Sequence, residues 1–339
     1  MTTRTLTAPL PGPDSATPAP ARQVLRRRRL QLGVSQQALA ARIGRSRKWL
    51  SELESGQGSP GFADVAELAA QLGLSLTLTE SAAIRVRGAS LPGDFSRPNE
   101  DRWGTRGSLA WVIDGATQPL STVQDVTAAE YASALSEALS RQADRVELSL
   151  TEILKRAIAE SISWPRAQAG PAATVALLRR TPAGVDWLVL GDAAVIVPGP
   201  GGALALRDER LAGVAVAERA ARSAARAFGS PDALAERSLE LYRAERAARN
   251  RPGGYWVAAD DPAAAEHAMH GHLDADGPLL LASDGALDAI GPGGIWPTLD
   301  EAVAEWLAAD PELAIARTRE HRQTVPGAKV DDATLVLVR

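Results

Sequence analysis

The chain has 339 residues, of which 45% are hydrophobic and 23% are charged. This composition is that of a globular protein, and no segment approaches the roughly 18 uninterrupted apolar residues of a membrane-spanning helix. The chain contains no cysteine, which excludes disulfides, thiolate zinc sites and cysteine nucleophiles and favours a cytoplasmic location.

The net charge of −4 conceals two segments of opposite sign. Residues 22–58 carry a net charge of +7, and residues 59–339 carry −11. A basic segment joined to an acidic one predicts two modules, the first of which binds a polyanion. A solvated charged helix is the alternative interpretation of the arginine-rich stretch.

Residues 1–21 are rich in proline, threonine and alanine and are predicted to form a disordered tail. From Arg22 onwards the pattern is helical, with Ser35 and Ser46 as predicted helix N-caps and Gly33 and Gly44 as predicted helix ends. The predicted elements are a first helix that ends at Gly33, helices over residues 36–43, 47–54 and 62–72, and a short strand over residues 74–80.

Two short helices joined around Gly44, the second with cations at its start, have helix-turn-helix geometry. The segment Val34–Pro60 resembles the Xre/Cro-type repressor family in its Ser-Gln start, Leu-Ala pair, Ile-Gly turn and Glu-x-Gly-x-x-x-Pro exit. The resemblance implies a DNA-binding domain over residues 22–80 that can bind two half-sites as a homodimer. The DNA contacts that it implies are Gln36, Arg45, Arg47, Lys48 and Ser51.

Several apolar side chains of this segment are predicted to form its core. They are Leu39, Ile43, Leu50 and Leu53. Trp49 is open to two interpretations, because it can pack inside or touch a base edge. A helical domain that serves only for dimerisation, or that docks a protein partner, is the alternative to a DNA-binding function.

After a joint at residues 80–87, short apolar runs alternate with longer alanine-rich amphipathic stretches. The strand-like runs are residues 108–117, 173–180, 184–197, 277–290 and 331–339, and the helical stretches lie around residues 124–163, 208–248 and 299–322. This order predicts a layered α/β or α+β domain over residues 86–339.

Acidic residues accompany these runs. Asp114, Asp192 and Asp284 each stand at or just past the end of a strand-like stretch, Asp331 stands at the start of one, and Glu100 and Asp101 precede the first run. A single such residue most simply marks the point where a strand reaches solvent. If they converge, carboxylates about 4 Å apart repel by ~4 kcal/mol per pair at an effective dielectric near 20, so the cluster needs cations. An all-oxygen donor set suits Mg²⁺ or Mn²⁺, and two such ions would activate a water for attack on a phosphoryl group.

Six short motifs resemble, in sequence and order, those of the metal-dependent type 2C (PPM) serine/threonine protein phosphatases. They are Asn99-Glu100-Asp101, Val112–Gly115, Ala173-Thr174-Val175, Gly191-Asp192, Ala282–Gly285 and Asp331–Thr334. The resemblance covers residues 86–339 and implies an α+β protein whose second domain is an αββα sandwich of two antiparallel sheets. It also implies a phosphorylated protein as substrate and metals at one end between the sheets.

The metal ligands that the resemblance implies are Glu100, Asp101, Asp114, Gly115, Asp192, Asp284 and Asp331. Asp114 would bridge two Mg²⁺ or Mn²⁺ ions, with the Gly115 carbonyl on the first ion. Glu100 and Asp101 would hold waters of that ion. Asp284 and Asp331 would bind the second ion, and Asp192 a weaker third one. Supporting hydrogen bonds are implied for Thr174, Ser283 and Thr334.

Three departures from the family pattern concern the handling of substrate. Ser96 stands where family members usually have a phosphate-binding arginine, so that Arg97 is the nearest candidate for this catalytic role. Ala116 replaces a histidine that some relatives carry, and Ala193-Ala194 replaces Ser-Arg. We expect a bacterial DNA-binding phosphatase that is active; a transcription regulator whose second domain has lost catalysis and acts as a sensor or dimerisation domain is the alternative.

Three histidines, His267, His270 and His272, lie close together in the segment 266–272. Histidine clusters can bind a transition metal, but no partner motif accompanies this one. We interpret the segment as a polar surface turn.

Overall fold

The structure, a computed structural model, describes residues 21–55, 61–74, 84–116, 126–164, 170–325 and 327–339. The chain divides into two compact units, residues 1–80 and 81–339. The tail predicted up to residue 20 and nearly all of the strand predicted over residues 74–80 lie outside the described residues. None of the described helices is long and apolar enough to span a membrane.

The described helices of the N-terminal unit are α1 (Ala21–Gln31), α2 (Gln36–Arg42), α3 (Arg47–Ser55) and α4 (Phe62–Gln71). The hydroxyl of Ser35 accepts a hydrogen bond from the Ala38 N–H at 3.1 Å. The hydroxyl of Ser46 accepts one from the Trp49 N–H, also at 3.1 Å. Both predicted caps are therefore confirmed.

The glycines that separate these helices have the conformation that ends a helix. Gly33 and Gly44 both have φ of +66°, a left-handed backbone that glycine adopts without the steric cost of a side chain. The buried leucines of the unit are Leu25, Leu39, Leu50, Leu53, Leu68, Leu72 and Leu74. Ile43 and Trp49 are half-buried and pack against this core, so that Trp49 combines packing with partial exposure.

A buried ion pair joins α1 to α3. Arg29 donates to both carboxylate oxygens of Glu54, at 2.7 Å and 2.8 Å, and to the carbonyl of Val34 at 2.8 Å. Both side chains are buried. Removal from water would raise the pKa of Glu54, but hydrogen bonds from Arg29 and Gln36 hold it below its usual value.

The C-terminal unit consists of strands and helices that alternate along the chain. The strands are β1 (Val86–Leu91), β2 (Arg102–Arg106), β3 (Leu109–Gly115), β4 (Ala173–Thr181), β5 (Gly184–Leu190), β6 (Ala194–Val197), β7 (Leu204–Leu206), β8 (Met269–Leu273), β9 (Leu279–Ala282) and β10 (Ala333–Val338). The helices are α5 (Ala128–Gln142), α6 (Leu150–Ser161), α7 (Val216–Phe228), α8 (Pro231–Ala248), α9 (Asp284–Leu287), α10 (Leu299–Ala308) and α11 (Pro311–Thr324).

The strands form two five-stranded antiparallel sheets, ordered β1-β10-β9-β6-β7 and β2-β3-β4-β5-β8. Val112 and Leu178 of one sheet share a buried cluster with Leu281 and Val336 of the other. The outer face of the second sheet packs against α5 and α6, and that of the first packs against α10 and α11. The predicted fold class, a helical domain followed by two antiparallel sheets covered by helices, is confirmed.

Two of the predicted strand-like runs contain more than one element. Residues 184–197 form β5 and β6, which belong to different sheets, because the chain turns at Gly191 with φ of +84°. Residues 277–290 form β9 followed by α9. The sequence pattern does not divide these runs, since apolar residues on both sides of a short turn hide that turn.

The interpretation of the histidine segment as a polar turn was also wrong. His270 and His272 lie in β8, the last strand of its sheet. The ring of His272 contacts Asp186 of β5 through Nδ1 at 2.8 Å and the carbonyl of Ala183 through Nε2 at 3.1 Å. Because both ring nitrogens face acceptors, the doubly protonated imidazolium is the favoured form.

We predict that His272 titrates above the usual histidine pKa of about 6.5. The hydrogen bond to Asp186 raises the pKa of His272, and the Ala183 carbonyl adds to it. A raised pKa in the folded state means that this contact stabilises the fold at low pH and that the stabilisation is lost as pH rises through the folded pKa. NMR titration of the ring carbons measures the pKa; Asp186→Asn should lower it, and an unchanged value in that variant would refute the pairing.

Candidate functional site

Asp114 and Gly115 form the end of β3, where the strand leaves the sheet. Strand pairing places Asp114 opposite Thr174 of β4. Gly115 packs against Glu100, because a Cβ at position 115 would lie 2.7 Å from the Glu100 carbonyl oxygen. Any larger residue would push the two backbones apart, so the glycine keeps Asp114 next to the segment that carries Glu100 and Asp101.

Asp101 is buried and held by hydroxyl groups from two other elements. Thr334 donates to Asp101 Oδ2 at 2.7 Å, and Ser283 also hydrogen-bonds to this carboxylate. The other oxygen, Oδ1, is buried without a hydrogen-bond partner among the described residues. A buried carboxylate oxygen without a partner is costly, and a divalent cation is one group that can satisfy it.

The backbone around Asp331 and Asp332 joins three of the acidic segments. Asp332 accepts hydrogen bonds from the N–H groups of Gly93 at 2.8 Å and Glu100 at 2.6 Å. A Cβ at Gly285 would lie 2.0 Å from the Asp332 carbonyl oxygen and 3.2 Å from the Asp331 Cβ. Asp284, next to this glycine, is therefore held against the loop that carries Asp331.

Asp192 follows the turn at Gly191, between β5 and β6. Thr174 Oγ1 accepts a hydrogen bond from the Ala193 N–H at 3.2 Å and so supports this turn. Removal from water, followed by the charge of Asp284, raises the pKa of Asp192 to about 7, and Arg207 acts in the opposite direction. Asp192 is thus in electrostatic contact with Asp284.

We call Asp101, Asp114, Asp192, Asp284 and Asp331 the acid cluster. Removal from water raises the pKa of Asp101 to about 8. It raises the pKa of Asp114 well above its usual value, and the charges of the four other acids add to the effect. The pKa of Asp284 is raised by the same causes, and its hydrogen bond with Asp114 opposes them. Five acids distant in sequence therefore interact in one place.

Lys329 is a cation next to the acid cluster that the sequence analysis missed. Its ammonium group forms an ion pair with Asp331. Removal from water opposes this charge, but Asp331, Asp284 and Asp114 together raise the pKa of Lys329 above its usual value. No motif singled out this lysine, and its proximity to Asp331 in the sequence is the one signal that could have done so.

The chemistry of the acid cluster fits divalent cations. Its donor atoms are carboxylate oxygens, which Mg²⁺ and Mn²⁺ prefer, and Oδ1 of Asp101 is a buried acceptor without a partner among the described residues. In the described part of the chain, no three acidic or histidine side chains are arranged to hold one ion as they stand.

Arg97 and Glu100 lie in a small cleft beside the acid cluster, which Lys329 and Asp331 also line. Arg97 is exposed at the rim of this cleft. Ser96, which stands at the position of the expected arginine, donates its hydroxyl hydrogen to Asp94 at 2.7 Å. The structure thus brings Arg97 near the predicted ligands, while Ser96 stabilises its own loop.

The predicted DNA contacts fall into two groups. Arg47, Lys48 and Ser51 are exposed on α3. Gln36 instead donates to Glu54 at 2.9 Å, and Arg45 pairs with Asp64 at 2.7 Å. Exposed α3 side chains can reach a groove directly, whereas Gln36 and Arg45 would have to exchange or share their partners in the protein.

We predict that Thr334→Val weakens Mn²⁺ binding by roughly 10- to 100-fold, because this hydroxyl orients the Asp101 carboxylate. The substitution is nearly isosteric and removes the 2.7 Å hydrogen bond. Titration calorimetry with MnCl₂ measures the affinity. The control is Thr324→Val, which removes an exposed hydroxyl at the end of α11; equal Mn²⁺ affinities of the two variants would contradict the role of Thr334.

Residues 22–82 match the family model described as a helix-turn-helix domain. No curated protein matches the chain. Among solved structures, the chain is similar to the PPM Ser-Thr phosphatase MsPP from Mycobacterium smegmatis in complex with cacodylate, with 17% identity and a TM-score of 0.49 over 76% of this chain and 99% of that one. It is also similar to the Mycobacterium tuberculosis serine/threonine phosphatase PstP/Ppp, with 15% identity and a TM-score of 0.46 over 75% of this chain and 97% of that one.

A third similar structure is the catalytic domain of serine threonine protein phosphatase PstP in complex with two manganese ions. Its identity is 17% and its TM-score is 0.45, over 75% of this chain and 97% of that one. The described helices α1 to α4, with their capped second and third members, agree with the family match at the N-terminus. The chain therefore carries a helix-turn-helix domain in residues 22–82.

Proposed function

We propose that this protein is a metal-dependent phosphatase of phosphoserine and phosphothreonine in proteins, and that its helix-turn-helix domain binds DNA. The observation that carries the proposal is the convergence of Asp101, Asp114, Asp284 and Asp331 from four separate segments. The Thr334–Asp101 hydrogen bond and the close approaches at Gly115 and Gly285 bring these segments together, and the acids are in electrostatic contact. Asp101 is buried and the other three are half-buried; carboxylates this close repel one another, and a divalent cation would remove that repulsion.

The resemblance to type 2C (PPM) phosphatases supports the same assignment of ligands. Asp114 would hold two Mg²⁺ or Mn²⁺ ions together, with the Gly115 carbonyl, Glu100 and Asp101 on one side and Asp284 and Asp331 on the other. Two such ions supply an acidified water and positive charge for in-line attack on a phosphoryl group. Asp192 would hold a third ion.

The protein's own residues position this set. Thr334 orients the Asp101 carboxylate, Asp332 fixes the Glu100 backbone, and Gly285 permits close contact between the Asp284 and Asp331 segments. Arg97 at the cleft is the candidate for binding the phosphoryl group. No covalent nucleophile is needed for attack by water.

Hydrolysis of a phosphothreonine peptide, measured by release of inorganic phosphate with and without Mn²⁺, tests the enzymatic half of the proposal. We expect turnover that depends on Mn²⁺, disappears in EDTA and is lost in Asp331→Asn. The matched control is Asp276→Asn, which removes an exposed carboxylate away from the acid cluster. Equal rates in wild type and Asp331→Asn would refute the assignment.

A second candidate function follows from Ser96, which occupies the position where an arginine is expected. In this reading the C-terminal unit has lost catalysis and serves a DNA-binding regulator as a sensor or dimerisation domain. This alternative predicts that no phosphopeptide is hydrolysed, whether or not the protein binds Mn²⁺. Substantial Mn²⁺-dependent turnover by the full chain eliminates it.

The DNA-binding half rests on the helix-turn-helix match and on the exposed cations of α3. We infer an Xre/Cro-type domain in which Arg47, Lys48 and Ser51 enter the major groove, with a homodimer on two half-sites. A cytoplasmic location in a bacterium completes the proposal and fits the absence of cysteine.

Fluorescence anisotropy with a pool of random double-stranded DNA fragments tests this half. We expect binding that weakens as salt concentration rises, because each phosphate contact releases condensed counterions. Lys48→Ala and Arg47→Ala should each reduce both the affinity and its salt dependence. Arg42→Ala, an equal loss of charge at the exposed end of α2, is the control; DNA binding that none of these changes affects would favour a protein-docking role.

A further inference from the structure

Helix α7 presents three arginines on one face. Arg219, Arg222 and Arg226 are spaced three and four residues apart, so their side chains leave the helix on the same side. We call these three residues the arginine face. All three are half-buried, which shows that this side of α7 is turned towards the rest of the unit.

The C-terminal end of α7 lies against the loop that leads to the acid cluster. A Cβ at Gly327 would lie 2.8 Å from both the Cα and the Cβ of Ala227. Gly327 precedes Lys329 and Asp331 in one loop, and Arg226 precedes Ala227 in the helix. Arg226 is in electrostatic contact with Asp331, Arg222 and Arg322, so the arginine face ends beside the predicted metal ligands.

Most cations of this region already have an acidic partner. Arg219 pairs with Glu245 of α8 at 2.8 Å, which joins the two helices. Arg322 pairs with Asp288 at 3.3 Å, and Lys329 pairs with Asp331. Each of these carboxylates offsets the positive charge of its partner.

Arg222 and Arg226 differ from their neighbours in this respect. With the residues that the structure describes, neither guanidinium makes a hydrogen bond or an ion pair. Removal from water, together with the charge of Arg222, lowers the pKa of Arg226, while Asp331 acts in the opposite direction. Arg226 is in electrostatic contact with Asp331, and Arg222 is in electrostatic contact with Arg226 and Glu245. Both half-buried guanidinium groups therefore have donors available for an anion.

We propose that Arg222 and Arg226, in addition to Arg97 at the cleft, bind the phosphoryl group of the substrate beside the acid cluster and so supply cationic contacts that Ser96 does not. This inference rests on the proposed phosphatase function and extends it to the residues that hold the substrate. A guanidinium presents several N–H donors in a plane that matches two phosphate oxygens. The Arg219–Glu245 pair and the Ala227–Gly327 contact hold α7 in position, and Arg222 and Arg226 on this helix are in electrostatic contact with each other.

Binding of inorganic phosphate to the Mn²⁺-loaded full chain, measured by titration calorimetry, tests this inference without requiring turnover. Arg226→Gln and Arg222→Gln should each raise the phosphate Kd by roughly tenfold or more, since each removes charged hydrogen bonds. Arg226→Lys should recover part of the loss. The matched control is Arg237→Gln on α8, where the arginine pairs with Glu240 away from the arginine face, and its phosphate Kd should equal that of the wild type.

The Mn²⁺ affinity of each variant separates phosphate binding from damage to the acid cluster. Loss of a positive charge near Asp331 should leave Mn²⁺ binding unchanged or make it tighter. Parallel weakening of Mn²⁺ and phosphate binding would overturn the inference, as would wild-type phosphate affinity in Arg226→Gln and Arg222→Gln. Unchanged phosphate affinity with weaker binding of a phosphopeptide would also overturn it, because the arginines would then contact the peptide. Intact phosphate binding without hydrolysis would instead contradict the proposed function alone.

Discussion

Asp114→Asn is expected to lower the Mn²⁺-dependent phosphatase rate by at least roughly 10²-fold, because even residues that only orient a metal ligand contribute 10- to 100-fold. Asparagine keeps the shape of the side chain but supplies one neutral carbonyl oxygen in place of a carboxylate. Asp114 is in electrostatic contact with all other members of the acid cluster, so no neighbour can take over its central position. Phosphate release from a phosphothreonine peptide measures the effect.

The same substitution should leave the metal-free fold as stable as the wild type or more stable. Removal from water and the neighbouring carboxylates raise the pKa of Asp114 in the folded state. The folded protein therefore binds more protons than the unfolded chain above the usual aspartate pKa of about 3.9, and its stability falls as pH rises through this range. Asparagine does not ionise, so the variant lacks this contribution. In thermal unfolding with EDTA, the variant should therefore lose less stability towards neutral pH than the wild type.

Asp276→Asn serves as the control for both measurements, since it changes the same chemical group at an exposed position. It should alter neither the rate nor the pH dependence of unfolding. Wild-type turnover in Asp114→Asn would show that this carboxylate is not a metal ligand. Loss of turnover together with collapse of the metal-free fold would show that its role is structural.

Arg29→Ala is expected to destabilise the N-terminal unit by about 3–5 kcal/mol, because it leaves the Glu54 carboxylate buried without its cation. Arg29 and Glu54 have exposed fractions of 7% and 6%, and Arg29 contacts both carboxylate oxygens. The amides of α1 and α3 should exchange with solvent roughly 10²- to 10³-fold faster, at about 1.4 kcal/mol per factor of ten. Hydrogen exchange of the full chain, read by mass spectrometry, resolves these helices from the C-terminal unit.

The double variant Arg29→Met, Glu54→Leu distinguishes a lost ion pair from lost packing. Removing both charges should restore much of the protection, since apolar pairs of similar volume often replace buried ion pairs without loss.

In the wild type, Arg29 and Gln36 hold the pKa of Glu54 below its usual value. The pair therefore stabilises the unit above about pH 4.3 and loses this effect as pH falls through the folded pKa. Exchange rates in Arg29→Ala equal to those of the wild type would contradict the stabilising role.

Local signals predicted the helical unit and the strand ends well. Ser35 and Ser46 cap helices because a serine hydroxyl can accept the free N–H groups of a first turn. Gly33 and Gly44 end helices because glycine adopts a positive φ. Each of these effects depends on residues a few positions apart, so it can be predicted from the sequence alone.

The contacts that assemble the acid cluster depend on folding of the whole C-terminal unit. Asp332 reaches the Gly93 N–H across 239 residues, and Thr334 reaches Asp101 across 233. The resemblance to a phosphatase family indicated which acidic residues belong to the site. No pattern in the neighbouring sequence, however, predicts the hydrogen-bond partners of Asp332 or the ion pair of Lys329. The run 184–197 was not divided at Gly191, because apolar residues flank the turn on both sides.

Anomalous diffraction from crystals soaked in MnCl₂ would show whether the acid cluster binds divalent cations. We expect two strong Mn²⁺ peaks whose ligands include carboxylate oxygens of Asp114, with Asp284 and Asp331 on one of the ions. Mn²⁺ peaks confined to other surfaces of the protein, at concentrations that support hydrolysis, would contradict it.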